Sequence, residues 1–166
     1  WTEQAERWID MEIWRRGEHA FDAAALKGRT CYGGLDLSST TDLSALVLVF
    51  PPSDDELWRC LCWFWMPQDN LRRRVEHDRV PYDVWARDGW IELTEGNVID
   101  YAWIRAKINE LSGDYNLREI LFDRWNSSQL ITQLIDDGAP VVAMGQGFAS
   151  MAAPTKELEA LVIGGK

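Results

Sequence analysis

The segment from Cys31 to Phe50, CYGGLDLSSTTDLSALVLVF, constrains the fold more than any other stretch of the chain. It reads as two strands, Cys31 to Leu37 and Leu43 to Phe50, joined by the polar turn SSTTD. The second strand is almost wholly apolar, the pattern of a strand buried on both faces. The first carries one carboxylate, Asp36, in an apolar setting. Burying an unpaired charge is costly, so such an aspartate is expected to be held by a metal, a cation or hydrogen-bond donors.

The rest of the chain reads as support for that hairpin. After Pro51, Pro52 and the acidic turn SDDE, Leu57 to Met66 forms a third strand, LWRCLCWFWM. Three consecutive strands with short turns predict an antiparallel meander. Pro67 then opens a polar, charged stretch that is helical in part, with Pro81 ending any helix near Arg79. Its basic run, Arg72 to Arg74, reads as a solvated helix face. Trp90 to Thr94 suggests a short strand and Gly96-Asn97 a turn. From Asp100 to Leu111 the chain predicts an amphipathic helix, with Ile104, Ile108 and Leu111 at helical spacing and Gly113 just past its end.

Leu117 to Phe122 is a strand that delivers Asp123 at its C-terminal end. Asn126 or Ser127 can cap the next helix, whose Leu130, Ile131, Leu134 and Ile135 form an apolar stripe before Gly138. Pro140 to Met144 reads as a strand, and a helix from about Pro154 to Ile163 follows the turn GQGFASMA. Alternating strand and helix predicts parallel strands in this half. At the other end, Thr2 to about Leu26 is helix-forming, with a partial stripe of Trp8, Met11, Ile13 and Trp14 and a break at Gly17. Residues 1–28 are therefore expected to be a helical linker ahead of one domain spanning residues 29–166.

An antiparallel meander followed by strand, helix, strand, helix is the layout of a ribonuclease H-like α/β fold: a mixed sheet, a three-stranded antiparallel meander plus parallel strands, flanked by helices. If the fourth long strand lies beside the first, Asp36 and Asp123 meet, and two like charges that close call for a cation between them. Hard, oxygen-seeking Mg2+ or Mn2+ suits an all-carboxylate site better than zinc. Two such ions about 3.5–4 Å apart would clamp a scissile phosphate, with the carboxylates as ligands. Each aspartate taken alone also has an ordinary structural explanation, Asp36 as a partner of the turn amides and Asp123 as a helix cap. Asp42, a third candidate, fits a turn residue best.

Charge and cysteine content narrow the classes. A net charge of -10 argues against a protein that holds nucleic acid by a general basic field. It leaves room for a nuclease, whose clustered carboxylates add negative charge and whose phosphate contacts can come from a local basic patch. Cys31, Cys60 and Cys62 offer neither a disulfide framework nor zinc spacing and are expected to be reduced core thiols. With no apolar run near roughly 18 residues and no signal-peptide pattern, the expectation is an intracellular protein without a membrane partner.

GGLDLSSTTDLSALVLVF, WIELTEGNVID, ILFDRWN and GQGFASMAAPTKELEALV, in this order, together resemble the nuclease domain of the large terminase subunit of tailed bacteriophages. The resemblance covers most of the chain from about Cys31 onward. It implies an enzyme that cuts concatemeric viral double-stranded DNA during genome packaging in the host cell cytoplasm. It also implies an N-terminal ATPase domain in the full protein, and the small terminase subunit and the portal protein as partners. Asp36 and Asp123 match the family's catalytic, metal-binding aspartates. The family's ATPase phosphate-binding loop is absent from this sequence. The stretch expected to supply a third acidic ligand would lie beyond Lys166, since Glu157 and Glu159 sit at an ordinary surface spacing. The fragment alone is accordingly expected to be a poor or inactive enzyme.

Two readings from other classes compete. GLDLSSTTDLSALVL superficially resembles the first phosphate loop of actin-like and sugar-kinase-like domains, although SSTT lacks the usual glycine and GQG at Gly145 to Gly147 is a meagre second loop. A non-catalytic docking domain, with the ten tryptophans as a partner surface, is the other. Against it, Trp63 and Trp65 alternate on a strand and most of the other tryptophans have plausible core positions.

Overall fold

The computed structural model describes residues 8–38, 42–53, 57–123 and 128–166. Three strands come first: β1 (Thr30–Asp36), β2 (Ser44–Phe50) and β3 (Arg59–Pro67). The helices α2 (Leu71–Asp78) and α3 (Tyr82–Arg87) and the short strand β4 (Glu92–Thr94) follow. Then come α4 (Tyr101–Asp114), β5 (Asn116–Asp123), α5 (Ser128–Asp136), β6 (Val141–Met144) and α6 (Phe148–Ile163). Ahead of them all lies the single-turn helix α1 (Met11–Arg15).

The six strands form one sheet in the order β4-β3-β2-β1-β5-β6. β1, β2 and β3 are the expected antiparallel meander, and β5 lies parallel to β1 with β6 parallel to β5. β4 pairs parallel to β3 at the far edge. Consequently β1, β3, β4, β5 and β6 all end at one edge of the sheet, and the connections leave from there.

Alternation along the strands separates two faces. Leu35, Leu46, Leu48, Phe50, Trp65 and Ile120 point to one of them and are buried there with Ile104, Ile108 and Leu111 of α4 and Leu130, Ile131 and Leu134 of α5. The predicted stripes of both helices thus meet the sheet. Each such side chain contributes about 1.5–3 kcal/mol when fully buried. On the opposite face stand Tyr32, Gly34 and Asp36 of β1, Cys60 and Cys62 of β3, and Leu121 and Val142, all exposed, with Val47, Val49 and Phe64 half-buried.

This two-sided sheet corrects several expectations. Asp36 is exposed, because the period of two that buries Cys31, Gly33 and Leu35 turns it to the open face. β2 alternates buried and half-buried residues and is fully buried on one face alone. Cys31 is a core thiol as expected, but Cys60 and Cys62 are exposed, since β3 turns Trp63 and Trp65 to the core side. Trp65 is fully buried, whereas Trp8, Trp14, Trp85, Trp90 and Trp103 are exposed, so the expectation that most of the tryptophans outside β3 sit in the core is not met among the described residues.

Element boundaries differ from those expected where a capping or helix-forming signal acts locally. Among the described residues the expected N-terminal helix is reduced to α1 and a 3₁₀ turn at Ala23–Leu26, because Asp10 and Asp22 bind the backbone amides of Glu12 and Ala24 and start new turns. Gly113 lies inside α4, which runs to Asp114. The last helix begins at Phe148, capped by extended Gly147, and carries Pro154 in its interior. Apart from Pro154, its first turns contain good helix formers, which outweigh the hydrogen bond that proline removes. Arg79 ends α2 in a left-handed conformation at φ 55°, as the nearby Pro81 led one to expect. The caps assigned to Asn126 and Ser127 lie outside the described residues.

Candidate active site

β1 and β5 are paired in register through Gly33↔Ile120, Gly34↔Leu121 and Leu35↔Phe122. One further step along both strands places Asp36 beside Asp123, which itself pairs with Met144 of β6. Registered residues of neighbouring strands share a face, so both carboxylates belong to the open face, with backbones about 4.8 Å apart. Asp36 is exposed and Asp123 partly exposed. Among the described residues Asp36 has no hydrogen-bond or ion-pair partner, and residues 39–41 of the turn, whose amides its structural explanation invokes, lie outside the described residues.

The close approach of the two strands has a sequence cause. A Cβ added to Gly33 would come within 3.1 Å of Ile120 Cγ1, whereas one added to Gly34 would meet nothing within 4 Å. Gly33 lets β1 seat against Ile120 on the core face. Gly34 leaves the open face bare two residues before Asp36.

Ser38 and Asp42, the described ends of the turn that follows Asp36, are held by three hydrogen bonds. The Ser38 amide donates to Ser44 Oγ at 2.9 Å, the Asp42 amide donates to Ser38 Oγ at 2.9 Å, and Tyr101 of α4 donates its hydroxyl to the Ser38 carbonyl at 2.6 Å. Burial pushes the Tyr101 hydroxyl above its usual pKa, which keeps it a donor. Asp42 accepts from the Leu43 amide and from Arg74 Nη2 at 2.7 Å. It is a turn residue bound to an arginine, in accord with its reading from sequence.

Arg74 reaches Asp78 as well, at 2.9 Å, and Asp78 in turn meets His77 Nδ1 and the Tyr82 hydroxyl. The His77 hydrogen bond, followed by the charge of Arg74, holds the Asp78 carboxyl below its ordinary value. This network joins α2 and α3 to the β1–β2 turn. The sequence signal was available, since Arg74 and Asp78 stand four apart on a helix, but no periodicity identifies Asp42 as the second partner.

Cysteine chemistry is not favoured. Burial pushes the Cys31 thiol up to about 11, and desolvation also raises Cys60 and Cys62, so none is a ready thiolate at neutral pH. No group of three or more His, Cys, Asp and Glu side chains able to hold a metal is found among the described residues. The donor set beside Asp36 is the Asp36–Asp123 pair, which offers the all-oxygen ligands that hard divalent cations take. The residues present fit part of such a site. No helix among the described residues is long and apolar enough to cross a membrane.

Comparison with known proteins gives a consistent result. The family model described as terminase large subunit, endonuclease domain, matches residues 1–166. The terminase large subunit of Enterobacteria phage HK97 is 41% identical to this chain over 140 residues, which are 83% of the chain and 28% of that protein. Protein YmfN of Escherichia coli (strain K12) is 21% identical, the match covering 100% of this chain and 38% of that protein. The crystal structure of the HK97 bacteriophage large terminase superposes with a TM-score of 0.82 at 37% identity, covering 96% of this chain and 33% of that chain. The chain therefore spans roughly a third of the length of these relatives. The mixed sheet and its flanking helices are consistent with a ribonuclease H-like fold.

Proposed function

Because the chain belongs to the terminase large subunit endonuclease domain family, we propose that it cuts double-stranded viral DNA during genome packaging, using Asp36 and Asp123 to hold divalent metal. The observation that carries this reading is the placement of the two carboxylates side by side at the ends of adjacent parallel strands, on the open face of the sheet.

Magnesium or manganese bound there would polarise the scissile phosphate and lower the pKa of a bound water. The chain's own part is positional. A short aspartate side chain on a strand has little freedom, so the pairing of β1 with β5 sets the separation of the carboxylates. The Ser38, Asp42, Arg74 and Tyr101 contacts hold the turn beside them. An open face without a covering side chain at Gly34 leaves room for a broad substrate such as a duplex.

In this reading residues 29–166 are the nuclease domain and residues 1–28 a linker, whose described part is helical at α1 and at the 3₁₀ turn Ala23–Leu26 alone. The whole protein acts in the host cell cytoplasm beside an ATPase domain, the small terminase subunit and the portal protein. With the family established, no observation favours an actin-like or sugar-kinase-like phosphate loop.

The test is twofold. Plasmid cleavage should require Mg2+ or Mn2+ and drop at least about 100-fold in Asp36→Asn or Asp123→Asn, since even outer partners of metal ligands cost 10–100-fold. Manganese binding, followed by paramagnetic resonance, should be lost in parallel, which keeps the reading testable in a chain that cuts slowly. Robust cleavage surviving Asp36→Ala would overturn it.

A further inference from the structure

Two arginines stand unengaged beside the proposed site. Arg72 and Arg73 of α2 are exposed, and neither has an ion-pair partner among the described residues. Their neighbour Arg74 is committed to Asp42 and Asp78. Glu76 lies four residues from Arg72, yet no ion pair joins them. Two adjacent unpaired cations in a chain of net charge -10 call for an anionic partner.

Their position is fixed by the fold. β3 ends at Pro67, on the same edge of the sheet as Asp36 and Asp123, and a 3₁₀ turn at Gln68–Asn70 leads directly into α2. The Arg74–Asp42 ion pair then ties α2 to the turn that follows Asp36. β3 is two strands from β1, which places the base of α2 about 10 Å from Asp36, the nearer carboxylate, along the sheet edge at about 4.8 Å per strand. One DNA strand rises about 3.4 Å per nucleotide, so that span is about three nucleotides.

We infer that Arg72 and Arg73 contact the phosphate backbone of duplex DNA about three nucleotides from the point of cutting, and so form one wall of the DNA path. The inference rests on the nuclease reading of Asp36 and Asp123. Contacts to phosphate position a duplex without reading its sequence, so the effect of removing them is the same for every duplex.

The experiment is equilibrium binding of a fluorescent duplex to the full chain over a range of salt, for the wild type, R72S/R73S and the control R59S/R118S. Arg59 and Arg118 belong to the opposite ends of β3 and β5, so the control removes the same charge from the far edge. The slope of log K against log salt should fall by about 1.8 in R72S/R73S, at about 0.9 per phosphate contact, and stay unchanged in the control. An unchanged slope in R72S/R73S, an equal fall in the control, or no duplex binding by the wild type at low salt overturns the inference. Manganese binding lost in Asp36→Asn reports on the nuclease reading separately, so either can fail without the other.

Discussion

The two faces of the sheet are built from the same six strands and serve opposite ends. On the core face, Leu46, Leu48, Phe50, Trp65 and Ile120 are fully buried under α4 and α5. The open face has Asp36 and Asp123 at one edge, a bare glycine at Gly34, and the exposed side chains of Tyr32, Leu121 and Val142. Alternation produces both at once along β1 and β2, where each buried residue is followed by one that is exposed or half-buried. Stability should therefore reside in one face and chemistry in the other, and substitutions on the two faces should fail in different ways.

Leu46→Ala offers the largest contrast. Leu46 is fully buried at the centre of the core face, and its truncation should cost about 2–5 kcal/mol in denaturant unfolding. Asp36→Asn should leave unfolding unchanged while abolishing metal binding, because it removes a charge from an exposed position without emptying any space. If Asp36→Asn unfolds the protein as readily as Leu46→Ala does, the separation of the faces is wrong.

The adjacent glycines sharpen the comparison to a single step of the chain. Gly33→Ala pushes a methyl group against Ile120, a small overpacking that should cost about 1 kcal/mol, the low end for added core volume, and also strain the β1–β5 pairing beneath the two aspartates. Gly34→Ala points into open space and should stabilise by about 0.5 kcal/mol through the unfolded chain. Denaturant midpoints shifting in opposite directions are the expected result. Equal shifts would show that the faces do not differ at this point.

Much of this architecture was legible in the residues. The meander, the strand bearing Asp123 and the stripes of α4 and α5 follow from periodicity, and the pairing of β1 with β5 follows from the order of elements. Which face Asp36 occupies could not be read as easily. An apolar run such as YGGLDL looks buried until a partner strand and its covering helices show which parity is packed. The same ambiguity misplaced Cys60 and Cys62. Aromatic content misled over the tryptophans, because whether Trp85, Trp90 and Trp103 are packed depends on the tertiary arrangement and not on the residue type. Contacts across long separations, such as Arg74 with Asp42 and Tyr101 with Ser38, leave no local signature at all.

The smallest expected effect concerns the helical layer over the core face. Arg105 of α4 grips Asp137, just past α5, through two bonds of 2.6 Å, and Asn109 adds a third at 2.8 Å. The Arg105 hydrogen bonds, with that of Asn109, lower the Asp137 carboxyl to about 2. A carboxyl whose folded pKa lies below its unfolded value contributes stability that is complete above the unfolded value, near 3.8, and is lost as pH falls through about 2. The pair lies at the surface, so the contribution is modest and screened by salt. Wild-type stability should therefore decline between about pH 4 and about pH 2 more steeply than that of Asp137→Asn, with the difference shrinking in high salt. Thermal unfolding across that range measures it. Parallel profiles would mean that the clamp adds nothing to the core face, and that α4 and α5 are held there by their buried stripes alone.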